Sequence, residues 1–229
     1  MKRLLLFILL AVSAKPTAAQ FTVSALGNGY TNIADFFGSF RDYYNTVNAA
    51  DLTNNLGTPS KGIGYSYELG YRLLRMSTSI RRTHLMGRTH ATFSNNAKRM
   101  VKYQYMFTNI NIGYFHPGER NEFIAEIGMT HSLSSLYSYV NLPNGQTDFF
   151  AGGISQQSTW VQIGMNIRVS WHRMLSENLW LCFDFNGIRV NNNKEPAPRL
   201  LLDQVYATHT ITVATLGIGL IYHIGERIE

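Results

Sequence analysis

Long runs of alternating apolar and polar residues constrain this chain more than any other feature. In residues 62–74 the apolar side chains share one parity, namely Ile63, Tyr65, Tyr67, Leu69, Tyr71 and Leu73. A helix turns by 100° at each residue and would scatter such a set around its axis, so the pattern predicts a β-strand. The same period of two runs through residues 121–133, 160–172, 179–185 and 214–224.

These strands are longer than a soluble sheet needs. Several reach about 12 residues, whereas soluble strands average about 5 to 6 and tilted transmembrane strands need roughly 9 to 11. After residue 19 no apolar run approaches the roughly 18 residues of a transmembrane helix. With only 15% charged but 13% aromatic residues, the composition suits a sheet that faces lipid.

The predicted strands lie near 20–27, 62–74, 78–93, 99–115, 121–135, 158–173, 178–190 and 208–224. Short joins near 75–77, 116–120 and 175–178 alternate with longer segments at 28–61, 136–157 and 191–207. This arrangement is typical of a membrane barrel with short periplasmic turns and long extracellular loops. We therefore predict an all-β fold, an eight-stranded antiparallel transmembrane β-barrel.

On this architecture the chain resembles the small eight-stranded outer-membrane barrels of Gram-negative bacteria, the class that includes OmpA, OmpX and OmpW. The resemblance implies an integral outer-membrane protein with a structural or interaction role, such as an accessory subunit of an envelope complex for secretion, uptake or motility. Two alternatives stay open at this stage. One is an enzyme that modifies lipid A, and the other is a barrel that binds or transports a small ligand.

Residues 1–19 predict a signal peptide. Lys2 and Arg3 precede an apolar run, and the small residues at positions 17 to 19 form the expected cleavage site before Gln20. The barrel domain is then 20–229. Removing Lys2, Arg3 and Lys15 lowers the formal charge from +6 to +3. This small excess of positive charge does not indicate a nucleic-acid-binding protein. The predicted partners are outer-membrane lipid and lipopolysaccharide, with a protein partner on loops 28–61, 136–157 and 191–207.

The polar face of the strands predicts a charged interior. A barrel of eight strands is too narrow for a water channel and fills with side chains. Because unpaired buried charge is costly, the acids need bases near them, and even residues of strand 78–93 that point inward would supply Arg82, His84 and Arg88. The predicted structural network consists of Glu68, Arg72, Arg82, Glu122, Glu126, Arg168, His172 and Asp184.

Strand 99–115 changes its apolar parity near Thr108, from Tyr103, Tyr105 and Phe107 to Ile110 and Ile112. One extra residue would restore the phase, so we predict a β-bulge there. The strand directions also predict two aromatic girdles. One, at the long-loop end, contains Tyr65, Tyr103 and Tyr105, and the other, at the short-turn end, contains Tyr71, Phe115, Phe123, Trp171 and Tyr222.

Few residues suggest chemistry. His131, followed by serines, is the one weak catalytic candidate, because a histidine can activate a serine nucleophile. The histidines have no metal-ligand spacing, and we predict no cofactor and no metal. The single cysteine, Cys182, is predicted to be buried, and residues 33–44 have the phase of a short amphipathic helix.

Overall fold

The structure, a computed structural model, describes residues 19–34, 37–57, 61–148, 158–192 and 209–225. Eight of its strands form the wall: β1 (Ala19–Ala34), β3 (Lys61–Leu73), β4 (Met76–Phe93), β5 (Lys98–His116), β6 (Asn121–Asn141), β8 (Ser158–Met174), β9 (Leu179–Asn192) and β10 (His209–Ile224). One helix, α1 (Phe37–Val47), and two short strands, β2 (Leu52–Asn54) and β7 (Thr147–Asp148), complete the described elements.

The wall closes on itself. Each strand pairs antiparallel with its neighbours in the order β1, β3, β4, β5, β6, β8, β9, β10, and β10 returns to β1. A closed barrel leaves no strand edge to pair with another chain. The predicted eight-stranded antiparallel barrel is therefore confirmed.

The connections are short at one end, which we call the lower end. Two residues join β3 to β4, and four residues each join β5 to β6 and β8 to β9. At the opposite, upper end, α1 and β2 lie between β1 and β3, and β7 pairs with β6. Residues 1–18, 149–157 and 193–208 lie outside the described residues. The predicted signal peptide, the second part of loop 136–157 and most of loop 191–207 therefore stay predictions.

The upper strands run further than the alternation indicated. β1 continues to Ala34 and β6 to Asn141, so both strands extend by several residues into the segments 28–61 and 136–157 that the sequence predicts as loops. The helical phase predicted for residues 33–44 corresponds to α1. Among the described residues, no helix is long and apolar enough to cross a membrane.

The predicted bulge at Thr108 is wrong. β5 pairs in unbroken register with both β4 and β6 from one end to the other. Phe107 and Asn109 both point inward and are fully buried, whereas Ile110 points outward and is 62% exposed. The apolar parity changes because the lining of the barrel changes from polar below to apolar above, while the strand itself stays regular.

Candidate functional site

The lower half of the barrel interior holds a layer of charged side chains. Every Asp and Glu on the eight wall strands points inward, and each is at most 6% exposed; the four are Glu68, Glu122, Glu126 and Asp184. They come from β3, β6 and β9, and period-two alternation turns each of them inward together with its small polar neighbours. We call this layer, with the arginines that contact it, the charged network.

Arg168 is the centre of the charged network. Its Nη1 lies 2.8 Å from Glu68 Oε2 and 2.9 Å from Glu126 Oε2, and its Nε lies 2.5 Å from Asp184 Oδ2. The guanidinium is fully buried. A guanidinium has five N–H donors in a fixed plane, so one arginine can bridge three carboxylates from three different strands.

Hydroxyl groups complete the shell around these carboxylates. Ser170 Oγ donates to Asp184 at 2.7 Å, and Ser77 Oγ and Ser79 Oγ donate to Glu126 at 2.6 and 3.1 Å. Carboxylates that accept charge-assisted and hydroxyl hydrogen bonds regain much of the hydration that they lose on burial.

A second group lies nearer the lower end. Arg72 Nη1 donates to Glu122 Oε2 at 2.7 Å, and its Nη2 lies 3.2 Å from Nδ1 of His172. The guanidinium also lies over the ring of Phe115, 4.5 Å from its centre. Phe115 therefore faces inward, so its predicted place in an outward girdle is wrong.

Arg82 does not belong to the charged network, and that part of the prediction is wrong. On β4 the odd residues point inward, so the interior base is Arg81, whose Nη1 lies 2.7 Å from Asp184 Oδ1. Arg82, His84 and Arg88 have the outward parity. The apolar residues Met76, Ile80 and Met86 share that outward parity, which is the signal that would have identified Arg81.

The other predicted interior residues do point inward. The structure brings Glu68, Glu126, Arg168 and Asp184 into one cluster, and it brings Arg72, Glu122 and His172 into another. Sequence reasoning missed Arg81 and the serine donors, because hydroxyl residues at inward positions carry no charge pattern. The network links several strands across the barrel, and all of its carboxylates are buried.

Above the charged network the interior becomes neutral and then apolar. A polar layer of asparagine and threonine side chains comes first, with Asn166 donating to Asn111 at 2.8 Å. Above it lies the upper core, a cluster of buried aromatic and aliphatic side chains that includes Tyr30, Leu85, Val101, Tyr103, Tyr105, Phe107, Ile188 and Val213. Tyr103 and Tyr105 are each 3% exposed, so they line the interior and not the predicted upper girdle.

The helix α1 closes the upper core. Tyr44 of α1 and Leu56, which follows β2, are both buried in this cluster. Asn45 holds the segment, because its side chain accepts from the amide of Leu56 at 2.8 Å and donates to the carbonyl of Leu56 at 3.1 Å. Arg99 lies over the Tyr44 ring, 5.6 Å from its centre. Burial raises the pKa of Tyr44, and the nearby positive charge of Arg99 opposes that rise.

The outer wall is an apolar belt. Large hydrophobic side chains on the outward parity are half to two-thirds exposed around the barrel, among them Leu69, Ile80, Ile110, Met129, Met165, Ile167, Leu216 and Ile218. At the lower end Tyr114, Phe123, Trp171 and Tyr222 also face outward. An apolar exterior around a charged interior inverts the pattern of a soluble barrel, and it identifies the wall as membrane-spanning.

His131 lies on the outward face of β6, opposite Thr108 of β5. The serines that flank it in sequence, Ser132 and Ser134, point inward and lie 3.2 Å from each other. The next residue on the face of His131 is Leu133. In the described structure Ser132 and Ser134 therefore lie on the opposite face of the strand from the His131 ring, so neither forms the pair with His131 that the sequence suggests.

Among the described residues, no group of three or more His, Cys, Asp or Glu side chains is placed to hold a metal ion. Cys182 is buried and free. It points inward above Trp180, whose ring stacks on that of His223 at 5.1 Å.

Comparison with solved structures finds other membrane barrels at low identity. The chain is similar to neisserial surface protein A, with 13% identity, 88% of this chain and 96% of that chain covered, and a TM-score of 0.45. It is also similar to Ail, the attachment invasion locus protein of Yersinia pestis, with 8% identity, 90% of this chain and 99% of that chain covered, and a TM-score of 0.44. For the outer membrane protease OmpT of Escherichia coli the identity is 12%, the coverage is 92% of this chain and 98% of that chain, and the TM-score is 0.42. No protein-family model and no curated protein matches the chain.

Proposed function

We propose that the chain is an integral outer-membrane barrel that acts as a closed scaffold, and that it presents its upper end to an envelope partner. The observation that carries the proposal is the filled interior. The charged network, the polar layer and the upper core follow one another along the barrel, and their side chains contact each other across it. Side chains that fill the described interior in this way argue against the transport alternative.

The upper end is the part of the scaffold suited to recognition. Recognition residues commonly lie on loops and short elements that a rigid framework holds in place. Here α1 is held over the upper core by Tyr44 and Asn45, while Asp42 of the same helix points to solvent, with 66% of its side chain exposed. A partner that docks on α1 would therefore meet a surface fixed by the barrel.

Two experiments test this function. Purified protein in planar bilayers should give no discrete conductance steps, and stable channels would refute the closed scaffold. For the partner, a photo-crosslinking residue in place of Asp42 should trap one envelope protein in intact cells. The same residue in place of Glu177, in the exposed turn at the lower end, is the matched control. An identical crosslinking pattern from both positions, or none from Asp42, would refute recognition by α1.

A further inference from the structure

The outer wall carries positive charge without negative charge. Seven Lys and Arg side chains on the wall strands face outward: Lys61, Arg82, Arg88, Lys98, Lys102, Arg173 and Arg189. All four acids of these strands face inward. Within the described chain, then, outward bases on the wall have no acid from the wall strands to pair with.

Five of the seven lie on three adjacent strands, β3, β4 and β5. Arg88 and Lys102 are register partners across β4 and β5, and both are exposed. Like charges placed directly opposite each other destabilise a sheet. A bound anion would reduce this repulsion, because each cation would attract it. We call Arg82, Arg88 and Lys102 the basic stripe.

Arg82 lies within the apolar belt itself. It is six residues above Met76, where β4 begins, which is about 16 Å of height for a strand tilted by about 40°. The apolar band of such barrels is about 25 Å tall, and an arginine on its lipid face costs roughly 2 to 4 kcal/mol at the midplane. Arg88 is twelve residues above Met76, at roughly 31 Å, and so lies beyond the band.

In the described structure the guanidinium of Arg82 donates its side-chain hydrogen bonds only to neutral groups. Its Nη1 donates to Thr108 Oγ1 at 3.4 Å and its Nη2 to Met106 Sδ at 2.8 Å. Thr108 is its register partner, and Met106 lies two residues further up β5. The guanidinium is therefore turned upward along the wall, away from the apolar residues below it.

A pocket opens on the wall just above this guanidinium. Its volume is about 260 Å³, and Tyr65, His84, Gln104, Met106 and Ser135 are among the residues that line it. The His84 ring stacks on Tyr65 with 4.8 Å between ring centres. Below Arg82 the outward residues Leu69, Ile80, Ile110 and Met129 are register partners in one row across four strands.

We infer that this face of the barrel is a binding site for a phosphorylated acyl lipid. The phosphate would lie in the pocket between Arg82 below and Arg88 and Lys102 above, and its acyl chains would run down over Ile80 and Ile110. A phosphate supplies the anion that the described wall lacks, and guanidinium groups bind its oxygens with paired hydrogen bonds. Lipopolysaccharide and anionic phospholipids both carry this chemistry. The inference depends on the outer-membrane placement proposed above.

The test measures lipid binding by the full chain in detergent, using native mass spectrometry with three probes: diphosphorylated lipid A, phosphatidylglycerol and phosphatidylcholine. We expect lipid A or phosphatidylglycerol to bind at least tenfold more tightly than phosphatidylcholine, and the preferred anionic probe identifies the source of the phosphate. Arg82→Gln combined with Arg88→Gln should reduce that affinity at least tenfold. The matched control is Arg189→Gln on β9, which lies opposite β4 in the ring and also faces outward; its affinity should stay within twofold.

Folding is checked separately by heat-modifiable migration on gels and by insertion into phosphatidylcholine vesicles. Failure of the wild type to insert would overturn the membrane placement, whereas insertion without a preference for anionic lipid would overturn only the lipid site. If the double variant does not fold, Arg88→Gln combined with Lys102→Gln tests the same site with residues above the belt. Unchanged lipid affinity together with loss of a co-purifying protein would overturn the lipid site in favour of a protein partner.

Discussion

Replacing Arg168 by glutamine should destabilise the barrel more than any other single loss of charge. The three carboxylates that Arg168 contacts, on Glu68, Glu126 and Asp184, lie within 2.9 Å of its nitrogens. Arg81 still pairs with Asp184, but Glu68 loses its ion pair. Removing one partner of a buried pair costs about 3 to 5 kcal/mol, so we expect about 4 kcal/mol, roughly a thousandfold in the unfolding equilibrium.

The measurement is urea unfolding of the protein in detergent or lipid vesicles, followed by tryptophan fluorescence and gel mobility. Arg189→Gln is the control, because it makes the same change on the exposed outer face. Adding Glu68→Gln to Arg168→Gln should recover at least about 1 kcal/mol, since one uncompensated carboxylate disappears. If Arg168→Gln lies within about 1 kcal/mol of the wild type at neutral pH, the charged network does not hold the strands together as argued.

Three further predictions follow from the layers of the barrel. In Asn109→Cys and Ile110→Cys variants, a fluorophore should be quenched by lipid-attached quenchers only at 110, and quenching at both positions would contradict the unbroken register of β5. Phe107→Ala should cost about 3 to 5 kcal/mol in urea unfolding because it leaves a cavity in the upper core. Burial raises the pKa of Tyr44 above its usual value of 10. The neutral phenol should therefore stabilise the upper core below about pH 10, and this stabilisation should be lost at higher pH as Tyr44 ionises. Proteolysis of the α1 segment should then increase, but not in Tyr44→Phe.

The barrel could be predicted from the sequence because a lipid-facing wall imposes a simple rule. Each outward position must be apolar wherever the strand crosses the belt, so period-two runs such as those of β3 and β8 identify both the strand and its orientation. The same rule placed Glu68, Glu126, Arg168 and Asp184 on the inner face. The ion pairs did not have to be predicted one by one, because a narrow barrel interior brings the inward side chains of different strands together.

The prediction failed where the rule no longer applies. On β4 the even residues Met76, Ile80 and Met86 indicate the lipid-facing parity, but Arg82, His84 and Arg88 share it. Counting these bases as partners for the interior acids assigns the strand to the wrong face. On β5 the interior becomes apolar at Phe107, and in the sequence this change in lining has the same pattern as a change in register. Both errors arise because one sequence shows which residues are apolar but not what each face of the strand contacts.

Both errors lie where the inner and outer surfaces of the wall change character, near Phe107 of β5 and Arg82 of β4. Above Phe107 the interior is a packed apolar core, and the outward side chains of β5 include the exposed polar residues Gln104 and Lys102 together with the partly buried Met106 and Met100. An apolar interior beneath exposed polar residues is the pattern of a protein in water, so we expect the top of the wall, which α1 covers, to lie above the apolar belt. Arg82 lies lower, within the belt, and its guanidinium is turned upward along the outer face of the wall. A phosphate held between this guanidinium and Arg88 would lie near the top of the belt, while the strand beneath it stays in lipid.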